Sequence, residues 1–229
     1  MKVTYLEHSG FAAEYKEYVL IFDWYRGSLP EFDQQKKIYV FASHSHYDHF
    51  NKKIFGWSEQ YPDVRYILSA DIAGKEQSER TAYVTANKKY DFDGIKVQTL
   101  HSTDEGVAFI VYMEDKVIYH AGDLNWWHWE EETESYNEQM RQDYQREIDK
   151  LKDIVIDIAF VPLDPRQENQ YAWGMDYFMK HTHTKYVFPM HMWGDYEVYG
   201  RLMENPEAEP YKERVIEVKE PGQVFEVNV

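Results

Sequence analysis

Short apolar runs separated by polar turns open the chain. Residues 2 to 6, 11 to 16 and 18 to 23 read as short strands, the N-terminal stretch alternating apolar and polar positions, with turns in the Ser9-Gly10 and Lys16-Glu17 regions between them. That pattern predicts a β-meander. The next run, "IYVFAS" (38 to 43), is almost wholly apolar, as suits a strand buried on both faces. "NKKIFGWSEQY" predicts a helix and "VRYILS" (64 to 69) a strand. Strands return at 95 to 101, 107 to 113 and 116 to 120, the last two joined at Glu114-Asp115 as a tight hairpin. From Trp127 to Lys152 the pattern turns helical, with Tyr136, Met140, Tyr144, Ile148 and Leu151 on one face that can rest on a sheet. A strand at 154 to 160, a helix around 169 to 182, a strand at 185 to 189 and short β segments near 214 to 218 and 223 to 228 complete the series. The expectation is an α/β fold of two sheets with helices outside, in one domain over residues 1 to 229.

Composition narrows the function classes. With 25 basic and 41 acidic residues among 229, the formal charge is −16, which repels phosphate backbones and anionic membrane surfaces at long range. A nucleic-acid partner is therefore disfavoured, whereas one small anion at a locally positive site is not. The absence of cysteine removes disulfides, thiolate ligands and a thiol nucleophile. The N-terminal stretch lacks the unbroken apolar run of a signal peptide, and no run approaches the roughly 20 apolar residues of a spanning helix. A soluble, cytoplasmic protein with no membrane partner is expected.

The candidate chemistry begins where the most apolar strand ends, in "SHSHYDHF" (43 to 50), with three histidines and an aspartate in six residues. Imidazole nitrogen and carboxylate oxygen suit borderline and hard divalent ions. His44 and His46, two apart, can present from one side of an extended loop. The following turn can aim Asp48 and His49 at a second point, and ligands split in this way suit two ions. Other apolar strands end in the same residue types: "VLIFDW" in Asp23, "VQTLHS" in His101, "VIYHAGD" in Asp123 and "YVFPMH" in His191. Side chains just past several strands can converge on one rim of a sheet.

The His-x-His-x-Asp-His loop, followed by a distant His, an Asp and a final His, resembles the metallo-β-lactamase superfamily. The likeness runs from "YLEHSGF" to the C-terminal strand and is nearest to a compact single-domain branch that includes hydrolases similar to L-ascorbate-6-phosphate lactonase. It implies a four-layer αβ/βα sandwich of two mixed sheets. It also implies two divalent ions, zinc first and manganese or iron as alternatives. His44, His46 and His101 would hold one ion, Asp48, His49 and His191 the other, and Asp123 would bridge them. Asp23 would orient a ligand histidine from outside, unless it is an ordinary turn residue. Such a pair acidifies a shared water, so that hydroxide exists near neutral pH, and Asp48 can take up its proton. Hydrolysis of a small ester, lactone or phosphoester follows, with a nuclease-type phosphodiesterase and a non-enzymatic metal-binding module as the other readings.

Other residues are candidates for the rest of the reaction. His120 and His8 resemble family positions near the metal centre, His8 outside the ligands themselves, where either can donate a proton, hydrogen-bond a substrate or serve structure; His128, His181 and His183 are expected to be solvated or locally satisfied. Tyr47, Trp126 with its neighbours Trp127 and Trp129, and Trp193 offer aromatic faces to a substrate, or pack the sheet against the long helix. Arg166 can take a substrate carboxylate or phosphate in bidentate fashion, or be held by Asp164 in an ion pair. Asp164 can alternatively touch a metal ligand from outside. A family-like homo-oligomer would fit the many aromatic residues.

Overall fold

The structure, a computed structural model, describes residues 1–74 and 78–229. β1 (Lys2–Glu7), β2 (Gly10–Tyr15) and β3 (Tyr18–Phe22) form the expected antiparallel meander. β4 (Lys37–Ala42), β5 (Val64–Ser69) and β6 (Thr81–Val84) then extend the sheet in parallel. β3 is buried at every position and β4 at all but its first, which is the burial of a central strand covered on both faces and explains its unbroken apolar run. β7 (Lys89–Phe92), β8 (Ile95–His101), β9 (Val107–Met113) and β10 (Lys116–His120) form an antiparallel ladder in a second sheet. Beyond it come α1 (Glu134–Ile148), β11 (Val155–Pro162), α2 (Trp173–His181), β12 (His183–Met190), α3 (Val198–Glu204) and β13 (Val224–Glu226).

Among the described residues, the sheets run β13-β1-β2-β3-β4-β5-β6 and β12-β11-β10-β9-β8-β7, and β10-β11-β12 are parallel. Each sheet is thus mixed, and their facing sides share one core containing Phe11, Phe22, Phe41, Phe109 and Phe160. The outer side of the second sheet packs on Tyr144, Ile148 and Leu151 of the α1 region and on Met175, Phe178 and Met179 of α2. The outer side of the first sheet carries a separate apolar cluster that includes Val19, Ile38, Val40 and Ile54. This is the expected α/β sandwich.

Several boundaries differ from the sequence reading. The helix expected after the histidine cluster spans Lys52–Glu59 and is wound as a 3-10 helix, with Asn51 capping Lys53 and Ile54 its one buried residue. The long helix begins at Glu134, seven residues later than expected. Thr133 caps Tyr136 N at 3.2 Å, while Asn137 bonds both N and O of Trp129 and ties residues 127 to 133 into a loop. Strands β6 and β7 and helix α3 had no distinct sequence signal, and the segment near 214 to 218 contributes one isolated bridge, Val187 with Val215. No helix among the described residues is long and apolar enough to cross a membrane.

Candidate metal centre

The site forms where strands from both sheets end. Asp23 follows β3, residues 43 to 49 follow β4, Asp123 follows β10, His191 follows β12, and His8 sits in the turn between β1 and β2. Asp23 organises the loop after β4: it accepts from Ser43 N at 2.7 Å and Ser43 Oγ at 2.6 Å, and it lies 2.7 Å from His49 Nδ1. Asp71 accepts from Ser45 N at 2.6 Å, and His46 O accepts from the backbone N–H groups of His49 and Phe50. His8, Asp23 and His191 all adopt positive φ (54°, 43° and 63°). For a non-glycine residue this conformation is sparsely populated, and it persists where the surrounding structure determines it strongly. Gly106 lets the β8–β9 turn press on the same loop, because a Cβ there would meet Ser43 O at 1.9 Å.

Two groups of ligand-type atoms result, each with its atoms within 4.8 Å of one another: His8, Asp48, His49 and His191 in one, and His44, His46, Asp104 and Asp123 in the other. Asp123 joins them. Its Oδ1 is 3.2 Å from His49 Nε2 and 3.4 Å from His191 Nε2, and its Oδ2 is 3.5 Å from His44 Nε2. His8 Nε2 lies 3.5 Å from Asp48 Oδ2. The first group is buried throughout, whereas His46 and Asp104 of the second are exposed.

Burial and charge pull these groups in different directions. Burial pushes His8 down to about 2, reinforced by His191 and His49, and it pushes His44 down to about 4. Both are thereby neutral imidazoles, the form that ligates a metal. Burial also opposes a charge on His49, but the carboxylates of Asp123 and Asp23 on either side outweigh it and hold its pKa well above the ordinary value. Burial works against ionised Asp123 as well, yet His49 and His191 hold its carboxyl well below the usual range. Burial beside the Asp123 charge raises Asp104.

The donor set fits divalent cations. Among the described residues, His8 Nε2, His49 Nε2 and Asp123 Oδ1 are buried without a well-directed hydrogen bond, the last two lying 3.2 Å apart, and a buried polar atom left unsatisfied costs about 1–3 kcal/mol. The opposite ring nitrogens are already engaged: His49 Nδ1 with Asp23, and His191 Nδ1 with Asp164 at 2.9 Å. Imidazoles held from behind by carboxylates present their free nitrogens in fixed directions, as metal sites require.

The structure departs from the sequence reading at several residues. His101 joins neither group. It still belongs to β8, paired with Val107, and strand alternation turns Leu100 inward and His101 outward, where its Nδ1 lies 2.6 Å from Ser102 O. Asp104, three residues on, enters the second group instead. His8 stands within the first group and not outside it. His120 is fully buried: its Nε2 donates to Ser9 O at 2.8 Å, its Nδ1 accepts from Gly122 N at 3.1 Å, and its ring stacks on Phe22. Both nitrogens are therefore committed to backbone groups, one in the β1–β2 turn and one just after β10, and no proton faces a substrate. Asp23 takes the orienting position. Asp164 both touches His191 and pairs with Arg166.

Among the aromatic candidates, Trp126 packs on Trp173 and lines a separate cleft with His128 and Glu130. Tyr47 is 74% exposed. Trp193 covers His8, with ring centroids 4.5 Å apart. Beside Asp104, Asp123 and His191 opens a cavity of about 150 Å³ lined also by Thr103, Trp127, Trp129, Tyr136, Met140 and Arg166. Tyr136 and Met140, assigned from periodicity to a sheet-packing face, thus look into this cavity.

A profile of the beta-lactamase superfamily domain matches residues 2–139, a stretch that contains His8, the loop after β4, Asp104 and Asp123. A UPF0173 metal-dependent hydrolase of Desulforamulus reducens is 29% identical over 141 residues, 54% of this chain and 62% of that one. Another, of Korarchaeum cryptofilum, is 28% identical over 134 residues, 54% and 60% of the two chains. The chain thus spans less than two thirds of the length of these curated relatives. Among solved structures, the metallo hydrolase Igni18 of Ignicoccus hospitalis superposes over 99% of both chains with a TM-score of 0.67 at 17% identity. The metallo-beta-lactamase fold protein YhfI of Bacillus subtilis superposes over 98% of both with a TM-score of 0.65 at 13% identity. At such identities the likeness concerns the fold. Matched by the profile over more than half of its length, the chain belongs to the beta-lactamase superfamily domain family.

Proposed function

We propose that this chain is a hydrolase dependent on two divalent metal ions, acting on a small ester, lactone or phosphoester. One observation carries the reading: among the described residues, two four-residue ligand groups meet at Asp123, and the buried atoms His8 Nε2, His49 Nε2 and Asp123 Oδ1 make no well-directed hydrogen bond. The names of the two curated relatives, metal-dependent hydrolases, support it. His44, His46, Asp104 and Asp123 would hold one ion, and His8, Asp48, His49 and His191 the other. Bound there, such ions would supply Lewis acidity and a hydrolytic nucleophile near neutral pH.

The chain's own residues do the rest. Asp23 and Asp164 fix the rings of His49 and His191. Asp48 would take up the proton of the nucleophile at a carboxylate oxygen. The cavity beside Asp123 suits a small molecule, and the charge of −16 disfavours a nucleic-acid chain. Within this class, the resemblance to the compact lactonase-like branch favours lactones, and zinc suits the histidine-rich group while manganese or iron would be accepted at the carboxylate-richer one.

The test is turnover by the metal-loaded protein on a panel of lactones, aryl esters, phosphodiesters and short oligonucleotides. Activity on a small ester or lactone, abolished by Asp123→Ala or His46→Ala in a folded protein, is expected. Unchanged turnover in either variant would refute the reading, and cleavage confined to oligonucleotides would replace it with a nuclease.

A further inference from the structure

The cavity beside the metal centre has one cationic side chain in its lining, Arg166. Its guanidinium is fixed on its edge and on its faces. Nε donates to both oxygens of Asp164 at 3.0 Å and Nη2 to Oδ2 at 2.5 Å. The ring of Trp193 lies 4.5 Å from Cζ and that of Trp129 lies 5.8 Å from it, within cation-π reach. Asp164 is itself immobile: it is wholly buried, accepts from Arg166 N at 2.9 Å and holds His191 Nδ1. Among the described residues Nη1 has no hydrogen-bond partner, and the side chain is 48% exposed. An ion pair needed only for stability would be complete with Nε and Nη2. Here a planar donor with an unused edge, set against aromatic rings, lines the cavity together with Asp123 and His191.

Resting on the hydrolase reading, we infer that Arg166 is the specificity-determining residue of this site. It selects a small substrate with an anionic carboxylate or phosphate group separate from the bond to be cleaved. Nη1 donates to that anion, and the flat or apolar part of the substrate lies against Trp127 and Trp129, whose rings stack nearly parallel at 6°. Asp104 and Asp123 line the same cavity and would repel an anion. Cations in the two ligand groups would offset that repulsion, so selection by Arg166 should be strongest in the metal-loaded protein. The guanidinium is held in place before substrate arrives, so little side-chain entropy is lost on binding.

The experiment uses three probes of similar shape on the metal-loaded protein, with binding measured by titration calorimetry: benzoate, phenylphosphonate and neutral benzamide. Metal content is measured on each sample. The wild type is expected to bind at least one anion about tenfold more tightly than benzamide, equivalent to about 1.4 kcal/mol. Arg166→Met should lose that preference with full metal content, because Asp164 still accepts from the backbone N–H of residue 166 and still holds His191. Arg166→Lys should keep part of it, with charge but no planar fork. The better of benzoate and phenylphosphonate identifies the anion class. Equal preference in the wild type and Arg166→Met would overturn the inference, as would a wild type that does not distinguish the anions from benzamide. A wild type that binds no metal yet shows an Arg166-dependent preference would sink the hydrolase reading while leaving this one standing.

Discussion

Replacing Asp23 by Ala tests the account at a residue that needs neither substrate nor metal to be measured. The carboxylate is fully buried and receives Ser43 N, Ser43 Oγ and His49 Nδ1 at 2.6 to 2.7 Å. His120 Nδ1 lies 3.9 Å away. Its removal strands these three donors, and each orphaned buried group costs about 1–3 kcal/mol. Breaking a buried charged pair alone costs roughly 3–5 kcal/mol, and since the donors are neighbours their losses do not simply add. We expect a loss near 3–5 kcal/mol in the metal-free protein, seen as a lower midpoint in urea. The thermal midpoint should fall by roughly 6–20 °C for a chain of this size. His49 would also lose its orienting partner, a change that commonly weakens metal binding by about 10–100-fold. Calorimetric metal titration of the folded variant reads this second effect separately. A stability change below about 1 kcal/mol together with unaltered metal affinity would refute the reasoning, since three buried donors would then be indifferent to losing their acceptor.

Other outcomes follow from the same geometry. Asp104→Ala should lower metal content by about one ion per chain while His101→Ala retains it, since His101 turns outward from β8; elemental analysis of both variants decides, and the opposite result would restore His101 as the ligand. Gly106→Val should destabilise the protein by at least about 2 kcal/mol in urea melts, because its φ is +72° and a Cβ would meet Ser43 O at 1.9 Å; a silent substitution would mean that the turn does not press on the metal loop. Burial raises Tyr39 to about 12 and holds Tyr144 well above its ordinary value. These folded-state values exceed the unfolded one near 10, so their contribution is complete below about pH 10 and declines as pH rises through the folded values. Absorbance at 295 nm should therefore show a fraction of the tyrosines ionising together with alkaline unfolding, and not as a single wave near pH 10.

Much of the scaffold is visible in the chain because burial on two faces writes itself as unbroken apolar sequence. β3 and β4 are instances, and the histidine-rich loop after β4 is legible as a candidate metal cluster from its residue types. Strand-end chemistry placed Asp23, Asp123 and His191 as well. What failed was finer. His101 has the residue type and strand-end position of a ligand, but its pairing with Val107 in β8 sets it on the outward face. Asp104 lies in a Ser-Thr-Asp-Glu-Gly turn whose approach depends on the positive φ of Gly106 and on room around Ser43, neither of which residue types encode directly. His120 looked reactive in "YHAGD", yet both of its nitrogens are spent on backbone groups, one of them 111 positions away. The helix start was misplaced because apolar periodicity cannot distinguish a helical turn from the aromatic loop that Asn137 holds at Trp129.

The central claim is that two adjoining ligand groups, joined by Asp123, hold two divalent ions. Elemental analysis of the wild type and Asp123→Ala, each stripped with chelator, reloaded with zinc or manganese and desalted, addresses it most directly. Two ions are expected per wild-type chain, one for each group, and at most one in Asp123→Ala. A wild type that retains none, or an Asp123→Ala protein that retains as many ions as the wild type, would contradict it.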